Sequence, residues 1–463
     1  MRHFALVMPV LLLFCGPLRA QFEKEIPSGG GGDAYSPEPT HCLTDEQHVA
    51  IATMLAENEQ KLRNQGLIGP EDASSAVSFG WPLQLAPGFN WNNFALISNF
   101  VDHAQDQTLL DYNCGNRTYD GHQGTDIALW PFPWYLKNNN LAQVVAAESG
   151  IILLKQDGNS DENCTWGNQQ WNAIYVRHAD GSVAWYGHMK KNSLTSKNLG
   201  DSVAQGEYLG IVASSGISTG PHLHFEVYRQ QPYQPSNRID PYAGTCNGTS
   251  SGVSWWANQD PYRKPTLNAA LTHNAVPEHG CPSGNENPHF STQFAPGAGL
   301  LYTAIYFRDQ QQGQITTLRL RMPNGSLWKN WTHTSPDTYS GSWWWWSWAL
   351  PTNGPFGTWA FEATSEGQTM VQPFTYGNMV STESEVLAHS LTLVPNPTSG
   401  SFRVSSAEDG ELQVQIFDQV GRLRSARQAQ TNNDLPTEGL ERGIYFVRVV
   451  QGGQAVLLRL VRE

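Results

Sequence analysis

Between residues 79 and 242 the apolar residues of this chain come in short parcels, and that parcelling constrains the fold more than any other feature. Examples are Val144-Val145-Ala146-Ala147, Gly150-Ile151-Ile152-Leu153-Leu154, Ala173-Ile174-Tyr175-Val176 and Leu223-His224-Phe225-Glu226-Val227, separated by Gly, Asn and Asp turns. Runs of this length fall short of an ordinary helix and few helical periods intervene, so the region reads as mainly antiparallel β. A helical pattern appears once, ahead of it. Thr44 and Gln47 have capping-box spacing, Ile51, Leu55 and Leu62 form an apolar side, and Gly66 is a natural stop. This helix reads as a packing or pro-segment element with no chemistry of its own.

With 463 residues the chain needs two or three domains. Residues 1–20 combine a basic start, an apolar run from Phe4 to Phe14 and a cleavage point near Ala20, the signature of a signal peptide. Cys15 follows bulky Phe14, which argues against a lipid anchor. Residues 21–78 read as a linker, with Gly29 to Gly32, followed by the helical segment. Residues 264–384 form a second β-rich stretch, expected to be a β-sandwich accessory domain. It contains Trp343-Trp344-Trp345-Trp346-Ser347-Trp348, whose members must populate both faces of a strand. An aromatic platform for sugar and a Trp-filled core both fit, and the core is favoured because strands carry aromatics without any ligand. Residues 385–463 form a third β unit, with strands at 412–417, 444–449 and 455–461 and a turn at Asp418 to Gly421.

The formal net charge of −13, with no basic stripe, argues against nucleic acid as a partner. No later segment has the length of a membrane helix, so stable membrane insertion is not expected. Export permits disulfides, and beyond the signal lie Cys42, Cys114, Cys164, Cys246 and Cys281, enough for two bridges with one thiol left over. The expected pairs are Cys114 with Cys164 and Cys246 with Cys281.

Chemistry concentrates in three places. Gly121-His122-Gln123-Gly124-Thr125-Asp126 contains an H-x-x-x-D pair, Gly220-Pro221-His222-Leu223-His224-Phe225 an H-x-H pair, and Trp185-Tyr186-Gly187-His188 lies between them. A hydrolytic zinc takes about three protein ligands and leaves a position for water, and imidazole and carboxylate suit it. On a strand, H-x-H puts both rings on one face, roughly 6–7 Å apart along the chain. One can then be a ligand and the other a neighbouring acid or base. His103, His178, His273 and His279 have no such partners and read as structural, and Glu226 reads as a salt-bridge or surface residue.

In that order and context the motifs resemble the lysostaphin-type zinc endopeptidases, the M23 or LytM family. The resemblance covers residues 79–242 and extends through Val145-Ala146-Ala147-Glu148-Ser149-Gly150, Tyr186-Gly187-His188-Met189, Gly200-Asp201-Ser202-Val203 and Asp240-Pro241. It implies one Zn2+ held by His122, Asp126 and His224, with His188 and His222 as catalytic residues. It also implies a domain over 79–263 shaped as an antiparallel β-sheet groove, and a peptidoglycan peptide or Gly-rich protein as substrate. The bulky stretch 130–140 departs from the family pattern and is expected to reshape the groove wall. Val394-Pro395-Asn396-Pro397-Thr398-Ser399-Gly400, with Gly443-Ile444-Tyr445-Phe446-Val447-Arg448-Val449, resembles the type IX secretion sorting domain. That implies the type IX machinery as a partner and secretion to the medium or surface of a Gram-negative bacterium. The expected fold class is therefore mainly β, with a peptidase groove, two β-sandwich-like domains and a short N-terminal helix. The expected function is a secreted zinc metalloendopeptidase, the alternative being a non-catalytic cell-wall or glycan-binding protein on the same fold.

Overall fold

The computed structural model describes residues 42–71, 77–377 except 88, 90, 166, 250–251 and 282, and 391–463 except 407–409, 419–422 and 452–453. The signal-peptide region, the Gly29–Gly32 linker and the turn beyond Asp418 lie outside the described residues.

The chain is mainly β, as its parcelled apolar runs require. Helix α1 (Asp45–Asn64) leads into β1 (Leu83–Leu85), β2 (Ala95–Asn99), β3 (Thr125–Leu129), α2 (Pro133–Asn138), β4 (Ala142–Val145), β5 (Gly150–Gln156), β6 (Ala173–Arg177), β7 (Val183–Gly187), β8 (Ser202–Val203), β9 (Tyr208–Ile211), β10 (His222–Tyr228) and β11 (Arg238–Ile239). Eight of these strands form one sheet ordered β2-β3-β10-β7-β6-β5-β8, with β11 pairing on β10, and β1-β4-β9 form a smaller one. Pairing is antiparallel across β2/β3, β3/β10, β10/β7, β7/β6 and β6/β5.

Strand β10 is buried along its whole length, and alternation gives its two faces different tasks. Leu223, Phe225 and Val227 join the apolar core shared with Val144 and Leu209 of the small sheet. On the opposite face Tyr228 packs with Trp185, Tyr175, Ile51, Leu55 and Leu62, so α1 covers the side on which His222, His224 and Glu226 stand.

The helix forms as its sequence dictates. Thr44 caps the Gln47 amide, the Gln47 side chain returns the favour to Thr44, acidic residues open the helix and Lys61 and Arg63 close it. Gly66 takes the left-handed φ of 71° that ends it. Burying Ile51, Leu55 and Leu62 contributes at most about 1.5–3 kcal/mol apiece. The buried Glu59 carboxylate accepts from Arg177 Nε at 2.9 Å, Arg63 Nη2 at 2.7 Å and Tyr233 Oη at 2.7 Å, which locks the helix to the sheet.

Beyond the peptidase-like region, Thr266–His273, Leu301–Arg308 and Gly341–Trp348 form one antiparallel sheet. Ile315–Arg321, Leu327–Thr334, Gly357–Ser365 and Gln368–Tyr376 lie in another. The tryptophan run divides by parity. Trp344, Trp346 and Trp348 are buried and meet Trp331 and His333 of the second sheet. Trp343 and Trp345 face the other way and pack against the core of Leu96, Trp130, Phe132, Leu271 and Tyr306. The core reading therefore holds for this run. The stretch 130–140 serves the same junction. Trp130 and Phe132 fill that shared core and α2 follows directly, so its bulk docks the second β unit onto the peptidase-like region.

The disulfides correct the expected pairing: Cys114 bonds Cys246, and Cys164 bonds Cys281. Cys246 N–H donates to Tyr112 O at 2.9 Å, drawing the first two loops together. Thr165 bridges to Ser218, and Cys281 Sγ lies 3.2 Å from Thr219 O, so the second pair meets over that turn. Cys42 remains a buried thiol.

Residues from 391 onward form a separate unit built on Leu393, Phe402, Val414, Ile416, Val447 and Leu460. Its larger sheet comprises Leu423–Gln430, Glu411–Phe417, Gly443–Gln451 and Gln454–Arg462, which contains all three strands expected there. Among the described residues no helix is long and apolar enough to cross a membrane.

Candidate metal centre

The register of the large sheet builds the site. Asp126 on β3 lies directly opposite His224 on β10, and His224 in turn lies opposite Gly187, the residue before His188. His222 stands two residues from His224 and so on the same face. His122 enters from the turn that precedes β3, after Gly121 at φ 72°. Gly124 makes the approach possible, because a Cβ there would fall 2.6 Å from His224 Nε2 and 2.8 Å from Phe225 O.

Three donor atoms converge. His122 Nε2 is 3.2 Å from Asp126 Oδ2, His224 Nδ1 is 2.9 Å from Asp126 Oδ1, and the two nitrogens are 3.4 Å apart. The opposite ring nitrogens decide the tautomers. His122 Nδ1 is 2.6 Å from Phe100 O, and a carbonyl can only accept, so the proton sits on Nδ1. His224 Nε2 is 3.3 Å from Glu226 Oε2, which accepts its proton in the same way. The lone pairs of His122 Nε2 and His224 Nδ1 therefore face each other and a carboxylate, an arrangement that repels unless a cation lies between them. Tetrahedral bonds of about 2.0–2.1 Å place neighbouring ligands about 3.3–3.4 Å apart. The three donors fit a zinc ion in type and in spacing, and Phe100 O and Glu226 act as the outer partners that orient metal-binding imidazoles. Asn99 Nδ2 donates to Asp126 Oδ2 at 3.1 Å and fixes the carboxylate.

Electrostatics agree with a site that collects positive charge. Burial works against the His122 imidazolium, yet Asp126 raises its pKa to about 9. Burial opposes ionisation of Asp126, but His122 and His222 hold it well below the usual carboxylate range. Burial also opposes the Glu226 carboxylate, and its bonds to His224 and His48 bring it down to about 2.

His188 and His222 stand beside this set with ring centroids 4.3 Å apart. Each donates Nδ1–H to a carbonyl, His188 to Ser215 O at 2.5 Å and His222 to Gly220 O at 2.8 Å. Each Nε2 is thereby left as an acceptor. His222 Nε2 is 3.6 Å from Asp126 Oδ1. Burial and then His222 lower the pKa of His188. His188 adopts φ 60°, an uncommon left-handed conformation for a residue with a Cβ, at the end of β7.

The structure thus brings all five residues singled out from the sequence into one buried cluster. Of the histidines read as structural, His103 pairs with Asp240 at 2.8 Å, His178 donates to Ser149 O, His273 donates to Pro288 O, and His279 stacks on Phe132 with ring centroids 4.8 Å apart. Sequence reasoning missed Cys42. Its sulfur and one ligand atom each from His122, Asp126 and His224 all lie within 4.8 Å of one another, and it forms a second such group with His188 and His222. Its one sequence signal was the odd cysteine count.

A His–Asp–His donor set on a β-sheet floor, flanked by two anchored imidazoles, is an arrangement that could hold a metal ion. Residues 121–238 match peptidase family M23 and residues 392–463 match the secretion system C-terminal sorting domain, so the chain carries an M23 peptidase domain and a type IX sorting tail. The tail marks it for secretion or cell-surface export. Among curated proteins, the DD-carboxypeptidase/endopeptidase Mpg of Neisseria meningitidis serogroup B is 43% identical over 65 residues, 14% of this chain and 14% of that protein. The peptidoglycan DD-endopeptidase ShyC of Vibrio cholerae is 31% identical over 98 residues, 21% of this chain and 22% of that protein. The chain thus spans less than a quarter of the length of these relatives. The catalytic domain of lysostaphin from Staphylococcus simulans aligns at 22% identity over 31% of this chain and 85% of that one, with a TM-score of 0.21.

Proposed function

We propose that this chain is an exported zinc metalloendopeptidase that cuts peptide bonds in peptidoglycan. The observation that carries the reading is the convergence of three lone-pair donors at 2.9–3.4 Å, each held from behind by a second partner. The relatives named as peptidoglycan or DD-endopeptidases support the substrate class, and the sorting tail supports delivery to the surface or medium by the type IX route.

In this reading His122, Asp126 and His224 hold the zinc. When bound, zinc supplies Lewis acidity toward the scissile carbonyl and lowers the pKa of water. His222 presents Nε2 beside the ligand set, so that atom takes the proton of the attacking water and returns it to the leaving amine. Two imidazolium rings at 4.3 Å repel each other, so the pair carries one proton more readily than two. His188 presents its Nε2 to the same space, and when protonated there it donates a hydrogen bond to the developing oxyanion. Ser215 O and Gly220 O keep both rings oriented.

Metal analysis together with digestion of purified peptidoglycans tests this. The expected result is about one zinc per chain and peptide fragments, identified by mass, whose release stops on chelation. Metal-free protein that binds cell wall just as well would establish the binding-module alternative.

A further inference from the structure

We infer that Cys42 is a fourth metal ligand, supplied by the N-terminal helical segment, and that it holds the peptidase site shut until that segment leaves. This rests on the zinc reading above and adds a regulatory ligand to it.

Three observations meet at this residue. Cys114, Cys164, Cys246 and Cys281 are used in disulfides, while Cys42 is a buried thiol. Its sulfur lies within 4.8 Å of donor atoms on both halves of the site, the His122–Asp126–His224 set and the His188–His222 pair. It therefore occupies the space between the ligands and the proton-transfer rings, where the carbonyl of a bound peptide has to sit. Nε2 of His188, fully buried and without a hydrogen-bond partner, belongs to the same group. Thiolate is a strong zinc ligand, and its binding releases the thiol proton, so ligation here needs no further reactant.

The segment that brings Cys42 is held in place as a plug. His122, Asp126, His188, His222 and His224 are each no more than 2% exposed, which leaves no path for an extended peptide. The cavity bounded by Cys42, Leu43, His48, Tyr119, His122 and His224 measures about 20 Å³, room for roughly one water. Gln47 Nε2 donates to the carbonyls of Asn168 and Gln169 at 3.1 Å. His48 Nε2 lies 3.5 Å from Glu226 Oε1, whose other oxygen accepts from His224. The first turn of α1 thus touches both the groove and the outer partner of a ligand. A peptide can enter only where this turn has been displaced.

The test compares the full-length zinc-loaded chain with its Cys42→Ser and Cys42→Ala variants. X-ray absorption at the zinc edge should show one sulfur neighbour at about 2.3 Å in the parent and none in either variant. Iodoacetamide should leave Cys42 unmodified in the zinc-loaded parent and label it after chelation. Peptide release should rise about 10-fold or more in both variants, because the competent state is no longer a minor one. A parent that binds zinc through nitrogen and oxygen alone, with Cys42 labelled at the same rate with and without metal, overturns the latch and leaves the peptidase reading standing. Failure of parent and variants alike to bind zinc overturns both.

Discussion

Buried histidines occur in both β regions of the first packing unit, and their fates are opposite. In the second β unit His273 and His333 sit among Tyr306, Phe290, Trp344 and Trp346, and burial pushes their pKa values down to about 3 and about 4. In the peptidase-like region His122 is no less buried, yet it is raised to about 9 because Asp126 stands beside it. Burial alone makes a histidine an aromatic filler. A carboxylate on the next strand, with a carbonyl fixing the far nitrogen, equips it for the ligand role proposed above.

The largest effect should come from breaking the donor set. His224→Ala should abolish zinc binding, whereas His222→Ala should keep the metal and lose about 10²–10⁴-fold in turnover. Metal content measured beside rate separates the two, and the reverse pattern would overturn the assigned roles.

Next comes the anchor of α1. Glu59→Ala leaves the buried Arg177 with only the exposed Glu71 carboxylate at 3.5 Å and should cost about 3 kcal/mol, read from denaturant unfolding. Its hydrogen bonds and Arg177 hold the Glu59 pKa below its ordinary value although burial opposes this. The contribution is therefore present above the unfolded carboxylate range and lost as pH falls through the folded value. Melting profiles of parent and variant should converge in acid, and parallel profiles down to the lowest pH would remove Glu59 from the balance.

The smallest effect should be His333→Phe, a shape-preserving change in an aromatic core that should cost under about 1.5 kcal/mol at neutral pH and leave zinc content unchanged. His333 is held neutral when folded, so in the parent it costs stability as pH falls from about 6.5, the unfolded value, toward about 4. The variant should lose that part of the acid sensitivity. A drop in zinc content would show that the two β regions are not independent in chemistry.

Much of this was legible in sequence because it is local. The capping box of Thr44 and Gln47 formed as written. The H-x-H on a strand placed His222 and His224 on one face, since period two leaves no alternative. Trp343 to Trp348 split by parity for the same reason. What escaped was long-range. The cysteines do not pair with their near neighbours in sequence, because pairing follows which loops meet in space, and the bridges join residues 132 and 117 apart. The stretch 130–140 was expected at the groove wall, but Trp130 and Phe132 are buried against strands more than a hundred residues later. Cys42 showed only as an odd count, because nothing local marks a thiol whose first polar partner, Tyr119, lies 77 residues downstream.

The two crossed bridges also carry a consequence for biogenesis. A chain emerging N-terminus first exposes Cys42, Cys114 and Cys164 before either Cys246 or Cys281 has appeared. Thiols 50 positions apart then encounter an oxidant ahead of their proper mates, and 114 to 164 is the wrong bond. Productive maturation therefore depends on delayed oxidation or on a reshuffling catalyst in the compartment that receives the chain.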